Sequence, residues 1–303
     1  IGQAHLEFFG TPDNIAEEKG KLIASLPSTG IAILNADDRR VADMASRCRG
    51  KVITYGLGSE AQVRATEVKF NYRQATALSL ESLRGVNCEL HYHEAMVPLS
   101  LPFIMTEAAL YSALAAVAVG LSQGLGLMDI ADTLKDFQPL QGRCNLLAGL
   151  NGSIVLDDSY NASPTSMIAA LEILANLPVD NPARRIAVLG DMLELGINSP
   201  AEHRRVGQII AGLPIGHLIL VGSLAKLIGE EAQSLGWTGR LDYFDNSHEA
   251  ALKIKEIISP QSVILVKGSQ GIRMERIVKE LLANPQEADN CLVRQDSHWL
   301  AKS

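Results

Sequence analysis

The sequence predicts an α/β protein whose second half is a doubly wound, mainly parallel sheet, and two observations carry that prediction. From about residue 150, the apolar runs SIVLD, RIAVLG, HLILVG and SVILVKG each precede a stretch of helical period. These runs are apolar throughout rather than alternating, which marks strands covered on both faces by crossover helices. At 303 residues, 47% hydrophobic and 20% charged, the chain is long and apolar enough for two domains, each with its own core.

The elements follow in order. Asp13 to about Ser25 carries Ile15, Ala16, Lys19, Leu22 and Ile23 at helical spacing, with Lys19 on the apolar face, and Pro27 and Gly30 end it. IAILN (31–35) is a short buried-type strand, ADDRRVADMASRC a helix with Asp37 or Asp38 near its start, and KVITYG (51–56) a second strand. From Val63 to Leu101, VRATEVKF, TALSLESL and CELHYHEAMVPLSL are β-rich, an antiparallel meander or edge extension. Helices are expected at about 106–123 and 128–136, and a boundary within FQPLQGRCN (137–145). Beyond it, strands at 153–157, 185–190, 217–222, 241–244 and 262–268 alternate with helices at 164–176, 200–211, 223–231, 247–258 and 273–282. The tail from Asn284 is polar and is expected to be loosely held.

Composition narrows the function. The net charge, 27 − 34 = −7, disfavours broad binding to nucleic acid or to anionic membranes. Cys48, Cys88, Cys144 and Cys291 lie far apart with no CxxC pair, which suits reduced thiols in a cytoplasmic protein better than a zinc site or a disulfide scaffold. The most apolar run, Ala108 to Leu121, is short and Ala-rich, so it reads as a buried helix rather than a membrane span. The chain opens IGQAHLEFFG, without Met and with no signal peptide pattern, and is expected to begin within a domain.

In doubly wound sheets ligands bind beyond the C-terminal ends of the strands. Four strand ends here are chemically rich: Asp157-Asp158-Ser159-Tyr160-Asn161, the GDMLELG loop with Asp191 and Glu194, Gly222-Ser223, and Lys267-Gly268-Ser269 with Arg273 after it. Each has a plainer reading, since Asp, Ser and Asn cap helices and Gly ends strands. Their convergence on one edge favours a site. Lysine followed by Gly-Ser can hold an anion with an ammonium, flexible backbone and a hydroxyl. Arg143, in the expected linker, reads either as a surface ion pair or as a phosphate contact. Neither GxGxxG nor GxxxxGK[ST] occurs, so a dinucleotide fingerprint is lacking. In the first half, His5 and Lys19 stand fourteen residues apart.

Together, AHLEFFGTPDNIAEEKGKLIASLPSTGIAILNADD, LQGRCNLL, VLDDSYNASPTSMIAAL, AVLGDMLELG and ILVKGSQGIRMERIV resemble the ATP-dependent Mur ligases, in order and over nearly the whole chain. The resemblance implies residues 1–141 as the C-terminal part of the family's central ATP-binding domain and 142–303 as its Rossmann-like C-terminal domain. The family's N-terminal domain and GTNGKT phosphate loop are not in this sequence, so this stretch alone is not expected to support catalysis. Within the family the motifs are most similar to the member that joins D-alanyl-D-alanine to a UDP-N-acetylmuramoyl-tripeptide, through an acyl phosphate made from ATP with Mg²⁺.

Position by position, His5 resembles a magnesium-binding histidine, and Lys19 a lysine that carbamylation turns into a hard oxygen ligand. Asn35, Asp37 and Asp38 resemble the segment near the adenine, Arg143 an arginine reaching the ATP phosphates, and Asp158 a ribose contact. Ser159, Tyr160, Asn161 and Ala162 would line the closing face. Asp191, Glu194, His203, Lys267 and Ser269 would serve the dipeptide side or closure. The resemblance further implies small-molecule substrates, no nucleic acid and no membrane insertion; the sequence leaves the oligomeric state open, with a monomer favoured. Rival readings are another amide ligase of the Mur or folylpolyglutamate type, a non-catalytic nucleotide-binding module, and a Rossmann oxidoreductase. The first lacks the DNPR motif of diaminopimelate-adding members, and the last lacks its glycine fingerprint.

Overall fold

The computed structural model describes residues 1–2 and 6–301 and divides the chain into two compact units. The first comprises Ile1–Asn71 and Arg84–Gln138, and the second Tyr72–Leu83 and Pro139–Ser303.

In the first unit, helix α1 (Pro12–Ala24) begins at Thr11, whose hydroxyl accepts the Asn14 amide, with proline at the first helical position where no amide is needed. Strands β1 (Ile31–Asn35), β2 (Lys51–Gly56) and β3 (Val63–Phe70) run parallel, and β4 (Val86–Tyr92) and β5 (Ala95–Leu101) extend the same sheet antiparallel. The β-rich stretch is therefore an edge extension of one mixed five-stranded sheet. Helix α2 (Glu107–Ser122) lays Leu110, Ala113, Leu114, Val117 and Ala118 on that sheet, and α3 (Leu127–Leu134) follows.

Three expectations for the first half of the sequence change. TALSLESL is not a strand: it ends in a helical turn, Leu80–Leu83, because its apolar spacing suits a single buried Leu83 as well as an alternating face. The helix expected after β1 shortens to Arg39–Ala42 and continues as a 3-10 turn, Asp43–Arg47. On α1, Ile15 is buried and Ala16 and Ile23 pack against Ala32, Leu34 and Met44, whereas Lys19 and Leu22 are exposed; the apolar stripe is narrower than the sequence suggests.

The second unit holds a six-stranded sheet in the order β10-β9-β8-β11-β7-β6. Its elements are β6 (Asn145–Ala148), β7 (Ile154–Asp158), α4 (Pro164–Asn176), β8 (Arg185–Gly190), α5 (Ser199–Ala211), β9 (His217–Val221), α6 (Lys226–Ser234), β10 (Arg240–Phe244), α7 (Ser247–Ile257), β11 (Val263–Lys267) and α8 (Glu275–Leu281). All pairings are parallel except β6 with β7. Every residue of β7, β8, β9 and β11 is buried, as their unbroken apolar runs require. Helices α4, α5 and α6 pack side by side on one face. On the other, α7 and α8 close over Val155, Ile186, Val188, Ile219, Ile264 and Val266. The helices leaving adjacent β7 and β11 thus go to opposite faces, the arrangement that in doubly wound sheets places a ligand crevice at the C-terminal ends of the strands.

The tail is not loosely held. Ala288, Leu292, Val293 and Arg294 are buried, since the polar residues that suggested a free tail are paired inside the unit.

Replacing Leu265, fully buried in β11, with alanine should cost about 2–5 kcal/mol by leaving a cavity. Leu22→Ala, at a residue 69% exposed, should stay within about 0.5 kcal/mol. Urea unfolding of the two variants checks the narrowed stripe on α1, and equal losses would contradict it.

Candidate functional site

The β7–β11 crevice is built on a buried ion pair. Asp158 and Lys267 are register partners at the ends of adjacent strands, so their side chains emerge on the same face. Lys267, 1% exposed, donates from Nζ to Asp158 Oδ2 at 2.6 Å and to the Asn161 carbonyl at 2.9 Å. The ammonium does not stand open as an anion hook: it is consumed in fixing the turn after β7. Next to it, Asp157 points to the opposite face, fully buried. Its Oδ1 accepts the Ser159 amide at 3.1 Å, while Oδ2 has no partner among the described residues. Burial pushes its carboxyl up to about 7, partly offset by hydrogen bonding from Ser159.

The other strand ends form a second lock. His203, fully buried, accepts the Met192 amide at Nε2 (3.0 Å). Since an amide can only donate, the ring proton sits on Nδ1, which faces the Ser199 carbonyl at 2.7 Å. Burial holds this imidazole below its ordinary pKa and keeps it neutral. Asp191 Oδ1 accepts the Ala225 amide (2.6 Å), and its carbonyl accepts the Ser269 amide (3.0 Å). Ser269 Oγ accepts the Leu193 amide at 2.8 Å. Gly222, at φ +104°, leaves room for the Asp191 carboxyl, which a Cβ there would meet at 2.5 Å. Asp191, His203 and Ser269 thus tie three strand ends together through backbone groups, and Glu194, at φ 62°, lies exposed on the loop they hold.

At the mouth of the crevice the geometry differs. The Tyr160 amide donates to the Gly142 carbonyl (3.1 Å), which brings the 142–143 turn against the turn after β7. The exposed Arg143 guanidinium lies over the Tyr160 ring at 4.1 Å. No carboxylate is within ion-pair distance of it among the described residues. Asn161, half-buried, accepts the Ala162 amide at its Oδ1, and Ala162 is buried.

The candidates of the first unit form a separate group. Asn35 Oδ1 accepts the Asp37 amide. The Asp37 carboxylate accepts the Leu57 and Gly58 amides (2.6 and 3.0 Å) and the Tyr111 hydroxyl (2.9 Å), tying the ends of β1 and β2 to α2. Asp38 caps the next helical turn through the Arg40 and Val41 amides. Lys19 is exposed on α1, and His5 lies outside the described residues. No three His, Cys, Asp or Glu side chains gather into a metal site among the described residues.

Sequence reasoning missed Tyr111, Glu275, Arg294 and Trp299. Glu275, 1% exposed, accepts from Arg273 Nε (2.5 Å) and Arg294 Nη1 (3.0 Å), and both guanidinium groups lie within 5.4 Å of the Trp299 ring centre. The one available signal was a tryptophan in a polar tail, because so large an apolar surface seldom stays in water.

Charged and polar strand ends converging on one edge of a doubly wound sheet define the α/β class in which ligands bind beyond the C-terminal ends of the strands. Residues 1–120 match the Mur ligase middle domain and residues 142–270 the Mur ligase glutamate ligase domain. The chain belongs to the Mur ligase family. Its relatives include the UDP-N-acetylmuramoyl-tripeptide–D-alanyl-D-alanine ligases of Escherichia coli strain K12 (32% identical) and Bacillus subtilis strain 168 (28% identical). Each alignment covers 94% of this chain, and 59% and 58% of the respective relative. A crystal structure of MurF from Acinetobacter baumannii superposes with a TM-score of 0.76 at 31% identity, over 92% of this chain and 57% of that one. A Thermotoga maritima MurF ligase in complex with ADP shares the fold, with a TM-score of 0.71 at 21% identity, over 96% of this chain and 61% of that one. The chain therefore spans somewhat over half the length of these relatives. No helix among the described residues is long and apolar enough to cross a membrane.

Two outcomes are expected for the crevice. Lys267→Met alone should cost about 3–5 kcal/mol by stranding a buried carboxylate, and the pair Lys267→Met/Asp158→Leu much less; equal losses in urea unfolding would show that the pair is not the constraint. Asp157 has a folded pKa raised from 3.8 to about 7. Its favourable contribution is thus full below about pH 4 and lost as pH rises through 7. Asp157→Asn should therefore gain a few kcal/mol on the native protein between pH 4.5 and pH 7.5, and a pH-independent gap would contradict the shift.

Proposed function

We propose that this chain forms the nucleotide-handling and closing part of an ATP-dependent ligase that joins D-alanyl-D-alanine to UDP-N-acetylmuramoyl-tripeptide, with residues 1–141 belonging to the central domain and 142–303 to the C-terminal domain. The ligases of this specificity among its relatives support the substrates. The observation that carries the chemistry is Arg143. Its guanidinium lies over the Tyr160 ring and is unpaired with any carboxylate among the described residues, so its N–H fork is available to a phosphoryl group. In phosphoryl transfer to a carboxylate, charge gathers on the transferring oxygens, and a pre-oriented guanidinium lowers that barrier without reorganising.

Around Arg143, the Lys267–Asp158 pair keeps the turn after β7 fixed, and the Asp191–His203–Ser269 lock keeps the neighbouring loop rigid enough to exclude water from an acyl phosphate. Asn35, Asp37 and Asp38 form the adenine-side edge of the first unit, although the Asp37 carboxylate and the Asp38 cap are already engaged by the protein. Mg²⁺ rests on the family resemblance of His5 and a carbamylated Lys19. The substrates are small molecules and the enzyme works in the cytoplasm, with a monomer favoured.

The product of the complete gene should release phosphate from ATP only when UDP-N-acetylmuramoyl-tripeptide and D-alanyl-D-alanine are both present. Release driven by free diaminopimelate would reject the assignment. Arg143→Gln should lower that turnover about 10²-fold, and Arg143→Lys should not restore it, because a lysine lacks the fork. Lys19→Ala should also lower turnover, and an unchanged rate would exclude Lys19 from the reaction.

A further inference from the structure

Arg143 is exposed, yet its orientation depends on residues at the far end of the sequence. Three segments meet at the crevice mouth: the turn at 141–143, the turn at 159–161 and the tail at 290–294. Gln141 donates to the Asn290 carbonyl at 2.7 Å. A Cβ on Gly142, which sits at φ +68°, would press on both Tyr160 (3.0 Å) and Val293 (3.2 Å), so the three segments are in van der Waals contact there.

Arg294 closes the knot. It is 8% exposed, in the left-handed region at φ 60°, and its guanidinium bridges three acceptors. Nη1 donates to the Ser159 carbonyl (3.3 Å) and to Glu275 Oε2 (3.0 Å), and Nη2 donates to the Tyr160 carbonyl (2.5 Å). The same guanidinium carbon lies 5.5 Å from the centre of the Tyr160 ring. Arg294 itself is oriented by Glu275, whose other oxygen takes Arg273 Nε. Arg273 in turn donates to the Trp299 carbonyl (2.8 Å).

We propose that Arg294 is a positioning residue for Arg143: by holding the Ser159 and Tyr160 carbonyls it fixes the Tyr160 ring on which the Arg143 guanidinium stacks. A tyrosine on a free turn samples several χ1 rotamers, and a guanidinium resting on it would be spread over as many directions. With two consecutive carbonyls captured by one planar, buried cation, the backbone under Tyr160 is held, and the same guanidinium beside the ring restricts its rotamers. The C-terminal segment is thereby part of the machinery that aims a phosphate-binding group, although it touches no substrate. The catalytic consequence rests on the proposed role of Arg143, whereas the positioning itself does not.

The experiment separates the two. In the product of the complete gene, Arg294→Gln should lower kcat/KM for ATP about tenfold in the native background and have no further effect in Arg143→Gln. Tyr160→Leu, which removes the stack and leaves the buried clamp, should reproduce the loss and the same non-additivity; if Arg294→Gln does not fold, Arg294→Lys, which keeps the buried charge but not the fork that reaches both carbonyls and Glu275, takes its place with the same expected outcomes. Equal losses in both backgrounds would overturn the proposal, since that is what general destabilisation produces. Independently of activity, the Tyr160 ring should shift the Arg143 Nε–H proton resonance upfield, and Arg294→Gln should abolish that shift; its persistence would also overturn the proposal. If the shift collapses while Arg143→Gln leaves turnover unchanged, the positioning stands and the phosphate role of Arg143 falls.

Discussion

Lys267 and Asp158 sit 2.6 Å apart at the ends of neighbouring strands, both almost fully removed from water. Removing two charges from water costs several kcal/mol per ion, and the attraction between them offsets that only when geometry is good and the remaining hydrogen-bonding capacity is used. The third partner, the Asn161 carbonyl, supplies part of that capacity, and it can do so only if the chain turns back over β11 directly after β7. The ion pair therefore dictates the path of residues 158–161, including where Tyr160 leaves the surface. A neutral pair could pack as well, but it would not penalise other paths of the turn to the same degree.

The neighbouring polar residues follow from the same constraint. Once the turn after β7 is fixed, the loops after β8 and β11 must fit beside it, with little side-chain volume between them. A Cβ on Gly268 would approach Gly190 Cα within 3.1 Å, so the two strand ends meet backbone to backbone. Backbone groups trapped in so tight a space must find partners or cost stability. Asp191, His203 and Ser269 supply them. Their burial among main-chain donors and acceptors explains why residue types that suggest ligand binding serve here first as internal hydrogen-bond partners.

Strands β7, β8, β9 and β11 were legible in the sequence because burial on both faces leaves an unbroken apolar run, a signal that survives without any neighbour. Strand β6 was not, since four residues beside a linker carry no period. The convergence of Asp158, Asp191 and Lys267 on one edge was also legible, because in a doubly wound sheet the position of a residue after its strand fixes the edge. Which of them bond to one another was not, because strand order decides it: β11, last in sequence, inserts between β8 and β7. The tail was misread for a related reason. Arg294 looks like a solvated charge until Glu275, nineteen residues away, is found beneath it.

That difference in pairing separates two kinds of arginine in one small region. Arg294 meets a carboxylate and two carbonyls in a buried setting, where losing either side would strand a desolvated group, so it is held in place. Among the described residues Arg143 meets only the face of an aromatic ring. Such a contact is worth on the order of 0.5–1 kcal/mol at an exposed site, enough to bias direction and too little to neutralise charge. Had Arg143 been paired with a carboxylate, an incoming phosphoryl group would first have to break that pair, and in a chain of net charge −7 acidic partners are plentiful. Stacking orients the guanidinium while leaving both its charge and its donor edge for the ligand, and the buried clamp makes that orientation single-valued.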